Sequence, residues 1–179
     1  EAAQRGAEVA LISGPVAIEI SHPAITVTLV STAEEMLKAS QERFSEVDVA
    51  IFAAAVSDYA PEKKYSHKLK KKDETLTLKL KKNPDIAQTL GQQKKDSQIL
   101  VGFALETNDE LTHAYNKLEE KNLDIIVLNS LSDTGAGFGY DTNQVSLLNR
   151  KNTDVLKFNL KDKADVACDI WNFIEHYEA

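Results

Sequence analysis

Along the chain, short apolar runs rich in β-branched residues alternate with stretches whose apolar positions recur every three to four residues. That is the pattern of strands alternating with helices. EAAQRG predicts the tail of a helix closed by Gly6, a residue that tolerates the left-handed cap. EVALIS (8–13) reads as a buried strand stopped by Gly14-Pro15, and ITVTLV (25–30) as a second. Thr32 followed by Glu35 has capping-box spacing and predicts a helix to about Phe44. DVAIFAAA (48–55) is almost wholly apolar, as expected of a parallel strand covered on both faces. Asn83-Pro84-Asp85 predicts a helix start, with Asn as cap, Pro at the first helical position and Asp at the positive end. That helix runs to about Gly91. QILVGFAL and DIIVLN (124–129) predict two more buried strands, with a helix over 108–121 between them. QVSLLN and DVLKFN predict a closing antiparallel pair, and 161–177 a final amphipathic helix.

This order predicts one α/β domain over 1–179. It would be three-layered and Rossmann-like, with a mostly parallel sheet, right-handed connections and helices on both faces. Leu76, Leu78 and Leu80 alternate with Thr77, Lys79 and Lys81, which predicts a half-exposed β-hairpin flap over about 61–82. Doubly wound domains open with a strand, a ligand-binding turn and a helix. Here the first element is the tail of a helix, so the expectation is a domain lacking its first strand and its glycine-rich substrate loop.

Composition narrows the class. Of 179 residues, 42% are hydrophobic, which excludes disorder, and 7 Gly with 4 Pro exclude collagen-like or low-complexity chains. The apolar runs fall well short of the roughly 20 residues that span a bilayer, and no charged-then-apolar leader is visible. The expectation is a soluble protein. The single cysteine, Cys168, excludes a disulfide framework and a multi-cysteine zinc site and fits a reducing, cytoplasmic compartment.

Charge is unevenly placed. The net charge is −7, yet residues 61–82 hold nine lysines against three acids, a local +6 on a remainder of −13. An acidic body argues against general nucleic-acid binding, and negligible binding at physiological salt is expected. The basic island suits a local anion such as a nucleoside triphosphate, or else is a solvated hairpin protected from edge pairing.

Ligands of open α/β sheets sit beyond the carboxyl ends of the strands. That directs attention to VSDYAP after the 48–55 strand, where Asp58 stands at the sheet edge within reach of a ribose or metal, or simply caps a loop. Residues 83–86 offer a helix start, a common anion site. Lys117 and Lys121 lie four apart on one helix face. They suit a polyphosphate, or merely a helix C-terminus. The loop DTGAGFGYDTN contains GxGxG but does not open a helix after a first strand, so it is a poor dinucleotide fingerprint. The four histidines have no ligand spacing. Cys168 lies among Ala164, Ala167 and Trp171, which predicts a buried small residue. Tyr115 is not followed by a lysine four residues on, which counts against a short-chain oxidoreductase.

The ordered set AAAVSDYAP, KLKK, KKNPDI, VGFALET and K-x3-K-N-L-D, followed by GFGYDTN, resembles phosphopantothenoylcysteine synthetase, the ligase of coenzyme A synthesis. The resemblance runs from about Gly6 to the final helix. It implies that 4′-phosphopantothenate is activated by CTP (or ATP) with Mg²⁺, releasing pyrophosphate, and that L-cysteine then displaces the nucleotide. By matching position it implies that Ala53 and Ala54 pack near the nucleotide and that Asp58 binds it. Pro84, Asp85, Ile86 and Ala87 would present a helix start, Phe103 would line the base or sugar pocket, and Lys117 and Lys121 would hold phosphates. Lys68 would be the catalytic lysine of a lid formed by the basic hairpin. The resemblance also implies a homodimer, working with a fused or separate flavin-dependent decarboxylase. The family's asparagine-bearing ISN-x-SSGKMG-like motif is absent from this chain. The resulting expectation is a chain that binds nucleotide better than it catalyses, since loss of one oxyanion donor costs on the order of 10²–10³ in rate. The alternative is a noncatalytic, nucleotide-binding regulatory subunit of the same fold.

Overall fold

The computed structural model describes residues 1–63, 65, 67, 75–106, 109–130, 140–152 and 154–178. A single 3₁₀ turn, Ala3–Arg5, closes on Gly6 at φ 92° and leads into β1 (Val9–Ser13). Then come β2 (Ile25–Leu29), α1 (Ala33–Phe44), β3 (Val49–Phe52) and β4 (Tyr59–Pro61). The second half runs β5 (Leu80–Lys82), α2 (Ile86–Gly91), β6 (Ile99–Glu106), α3 (Glu110–Glu120) and β7 (Ile125–Ser130). It ends with β8 (Thr142–Asn143), β9 (Val145–Asn149), β10 (Val155–Lys157), β11 (Lys161–Asp162) and α4 (Lys163–Glu178).

The main sheet has five strands in the order β10-β9-β7-β6-β3. Its body is parallel, β3 with β6 and β6 with β7, and β9 and β10 close it antiparallel. Helices cover both faces, so the architecture is the three-layered, Rossmann-like α/β domain expected. On one face Phe44 of α1, Ile86 and Leu90 of α2, and Ala114 and Leu118 of α3 pack on Leu100, Ala104, Ile126 and Leu128. On the other, Val166, Ile170 and Ile174 of α4 pack on Val101, Ile125, Val127 and Leu147. Alternate residues of β6 and β7 thus feed two different cores, which explains their unbroken apolar runs.

β1 and β2 form a separate parallel pair. Among the described residues no ladder joins β1 to β3, and the edges of both strands face one groove. The strand expected over 48–55 is therefore only four residues long, and Ile51 is 39% exposed rather than covered on both faces. α1 is positioned as its sequence predicts. The Thr32 hydroxyl accepts from the Glu35 N–H at 3.1 Å, and the Glu35 carboxylate accepts from the Thr32 N–H, a complete capping box.

The hairpin differs in part from expectation. Its paired base is β4 with β5, Tyr59 opposite Lys82 and Pro61 opposite Leu80, so the loop expected after β3 contains a strand. The Glu62 N–H donates to the Lys79 carbonyl at 2.9 Å, one step beyond that ladder, while Leu76 and Leu78 lie outside any strand and, with Leu80 of β5, are exposed. The KLKKK segment lies outside the described residues. At the opposite edge of the sheet Asp124 is buried, with Lys94 as its ion-pair partner and the Leu100 N–H donating to it at 2.7 Å. Among the described residues no helix is long and apolar enough to cross a membrane.

Candidate functional site

The residues singled out beyond the strand ends meet in one groove of about 1190 Å³. Ala53, Ala54 and Asp58 come from the loop after β3; Pro84, Asp85, Ile86 and Ala87 from the start of α2; Phe103 from β6; and Lys117 and Lys121 from α3. Four segments converge there because parallel strands β3 and β6 end on the same side and the segments that follow them fold over that edge. Lys68 lies outside the described residues, and so does most of the GxGxG loop.

The electrostatics differ from a simple pair of free lysines over a helix start. Asp85, not Asn83, caps α2: its carboxylate accepts from the Gln88 N–H at 3.0 Å, and Pro84 stands outside the helix rather than at its first position. The reason is that Asn83 is engaged elsewhere, its amide donating to the Ser57 carbonyl at 2.8 Å. The Lys121 ammonium sits 2.9 Å from Asp85, bridging the end of α3 to the start of α2. Burial alone would raise the Asp85 carboxyl, but the Gln88 N–H and the Lys121 ammonium outweigh it and hold it below the ordinary value. A phosphate arriving here meets a lysine already paired with a carboxylate, so Lys121 must be shared or exchanged. α2 has only six residues, and one of its first free N–H groups is already taken by Asp85, so its dipole is a weaker anion attractor than the sequence suggested. Ile86 is buried in the core under the groove, and Asp58 is exposed at its rim.

Sequence reasoning did not assign another part of the lining. Ser13, Gly14, Pro15 and Val16 line it from the end of β1, and Met36, Ser40 and Arg43 from α1. The signal was present, because Gly14-Pro15 follows a strand at the carboxyl edge. Cys168 is half-buried rather than fully enclosed, its thiol donating to the Glu1 carboxylate at 3.1 Å, and that bond raises the thiol pKa. Among the described residues no group of three His, Cys, Asp or Glu side chains could hold a metal ion.

A sheet of this topology with a groove over its carboxyl edge defines an α/β domain of the doubly wound class. The family model of the DNA/pantothenate metabolism flavoprotein C-terminal domain matches residues 1–177, and the chain belongs to that family. The chain is 42% identical over 169 residues to the coenzyme A biosynthesis bifunctional protein CoaBC of Bacillus subtilis strain 168, covering 94% of this chain and 41% of that protein. It is 50% identical over 169 residues to a protein of an unknown prokaryotic organism named cysteine/cysteine sulfinic acid decarboxylase, covering 94% of this chain and 47% of that one. The chain therefore spans less than half the length of either relative. Among solved structures, the C-terminal domain of a CoaBC protein superposes with a TM-score of 0.79 at 36% identity, covering 98% of this chain and 76% of that one.

Proposed function

We propose that this chain is the ligase portion of a coenzyme A biosynthetic protein, joining 4′-phosphopantothenate to L-cysteine at the expense of a nucleoside triphosphate, CTP by preference. The observation that carries the reading is the convergence on one groove of the ten residues that the family resemblance implies for nucleotide binding. The match of residues 1–177 to the C-terminal domain of a pantothenate metabolism flavoprotein, with 42% identity to a coenzyme A biosynthesis protein, supports this reading over the decarboxylation in the name of the 50% identical relative.

The reaction has two steps. A carboxylate oxygen of phosphopantothenate attacks the α-phosphorus, the bond to the bridging oxygen breaks, and pyrophosphate leaves. The amine of cysteine then attacks the acyl carbon of the acyl-nucleotide, the bond from that carbon to the bridging oxygen breaks, CMP leaves with that former carboxylate oxygen, and the amine loses a proton. The first step brings anion to anion, so cations must screen it. Lys117 and Lys121 supply that screening from α3, with Lys121 exchanging Asp85 for phosphate. Lys68, one of the nine lysines of residues 61–82, stabilises negative charge at the acyl-nucleotide. Ala53 and Ala54 leave room for the nucleotide against the end of β3, and Phe103 offers an apolar wall to its base or sugar. Mg²⁺ binds mainly through substrate phosphates, with one or two protein carboxylates at most. The donor set fits that mode, Asp58 being the carboxylate at the rim, and the ion supplies charge neutralisation to the phosphates.

The test is pyrophosphate release by the complete protein with Mg²⁺ and phosphopantothenate, with CTP or ATP, and with or without L-cysteine. Release that requires phosphopantothenate, with a thiol-bearing amide formed once cysteine is added, supports the reading. No release with either nucleotide from a folded protein overturns it.

A further inference from the structure

Asn83 stands where three parts of the site meet, and nothing in the proposed reaction uses it. Its backbone N–H donates to the Asp58 carbonyl at 2.7 Å, which extends the β4–β5 ladder by one rung beyond the Tyr59–Lys82 pair. The next residue, Pro84, has no N–H with which to carry the ladder further. The side chain of Asn83 supplies the missing donor, its Nδ2 reaching the Ser57 carbonyl at 2.8 Å. Two consecutive carbonyls of the loop after β3 are therefore held by one residue. Two residues further on, Asp85 caps α2 and meets Lys121.

We infer that Asn83 is a positioning residue, whose side-chain amide fixes the loop bearing Asp58 against the start of α2 and so sets the spacing of Asp58 and Asp85 across the groove. The same bonds tie the β4–β5 pair to the groove. This rests on the nucleotide reading of the groove. An unheld loop must be ordered by the ligand itself, so the cost falls on nucleotide affinity rather than on the chemical step.

The experiment compares wild type, Asn83→Asp and Asn83→Gln in the complete protein. Asp is isosteric with Asn but turns a donor into an acceptor facing the Ser57 carbonyl, whereas Gln keeps the donor on a longer stem. CTP and ATP binding are measured by calorimetry, KM for nucleotide and for cysteine by turnover, and folding by urea denaturation. Asn83→Asp is expected to weaken nucleotide binding about tenfold, the worth of one lost hydrogen bond. KM for cysteine should be unchanged, the urea midpoint close to wild type, and Asn83→Gln should recover part of the loss. Unchanged nucleotide affinity in both variants overturns the inference, and so does a uniform loss in kcat and both KM values that follows the urea midpoint. Should Asn83→Asp fail to fold, nucleotide binding is measured for Asn83→Gln and Asn83→Ala. Weaker binding by Asn83→Ala than by Asn83→Gln then supports the inference, and wild-type affinity in both overturns it. A wild type that binds nucleotide without turnover defeats the ligase reading while leaving Asn83 to be judged by affinity. A wild type that binds no nucleotide overturns both.

Discussion

Gly91 has no room for a side chain, since a Cβ there would lie 1.9 Å from the Lys121 carbonyl oxygen. That close approach lets the Asn122 amide donate to the Gly91 carbonyl at 2.8 Å, and Arg150 holds the Asn122 side-chain oxygen at 2.6 Å. Asn122 itself adopts φ 51°, a left-handed turn that ends α3. The junction sets α3, and with it Lys117 and Lys121, against α2. Gly91→Ala must push the helices apart. It is expected to cost about 1–3 kcal/mol or more by urea denaturation, as overpacking against backbone does. Asp124 is the second such residue: Lys94 and Asp124 are only 11% and 8% exposed as side chains, so Asp124→Ala leaves a buried ammonium without its carboxylate. The expected loss is about 3–5 kcal/mol in the same assay. Neither role was legible in the sequence. Gly91 reads as an ordinary helix end and Asp124 as the first residue of a strand, because hydrophobic period reports which face is buried and not which distant polar group meets which.

At the scale of elements the pattern was far more legible. β6, β7 and β9 supply most of the buried core and α1 carries its own cap, so local chemistry and packing agree. It misled where an element depends on a neighbour. β3 looked covered because its residues are apolar, yet the strand borders a groove. The start of α2 looked like an Asn cap because Asn, Pro and Asp each suit the first turn, and only the position of Ser57 decides that Asn83 turns away. The groove residues drawn from strand ends and family motifs met as a group, whereas the ion pair between Asp85 and Lys121, thirty-six positions apart, had no local signal. That pair gives the α2 cap a pH dependence. The folded-state carboxyl of Asp85 is depressed, so its stabilisation is complete above the unfolded-state value of about 4 and is lost as pH falls through the lower folded-state value. Asp85→Asn keeps a capping oxygen but loses the charge. The stability gap between wild type and this variant is expected to shrink as pH is lowered from about 6 to about 3, and a constant gap would assign no titrating role to Asp85.

At the scale of the molecule, β1 and β2 share hydrogen bonds with each other and, among the described residues, none with the main sheet. Side-chain packing on α1 and the covalent path hold the pair in place, and helix packing of this kind opens more easily than a buried ladder. Amide exchange should therefore release Val9–Ser13 and Ile25–Leu29 together, well before Ile99–Glu106 and Ile125–Ser130. Equal protection across all four strands would show that the groove is no seam. One further hold is the guanidinium of Arg5, which reaches Glu175 at 2.9 Å and Asn172 at 2.8 Å on α4. The polypeptide between Arg5 and α4 is thereby a closed loop, and β1 with β2 sits inside that loop. When the pair lets go of α1 it stays at a high effective concentration beside the seam it left. Arg5 thus governs less what β1 and β2 touch than how far they travel before returning.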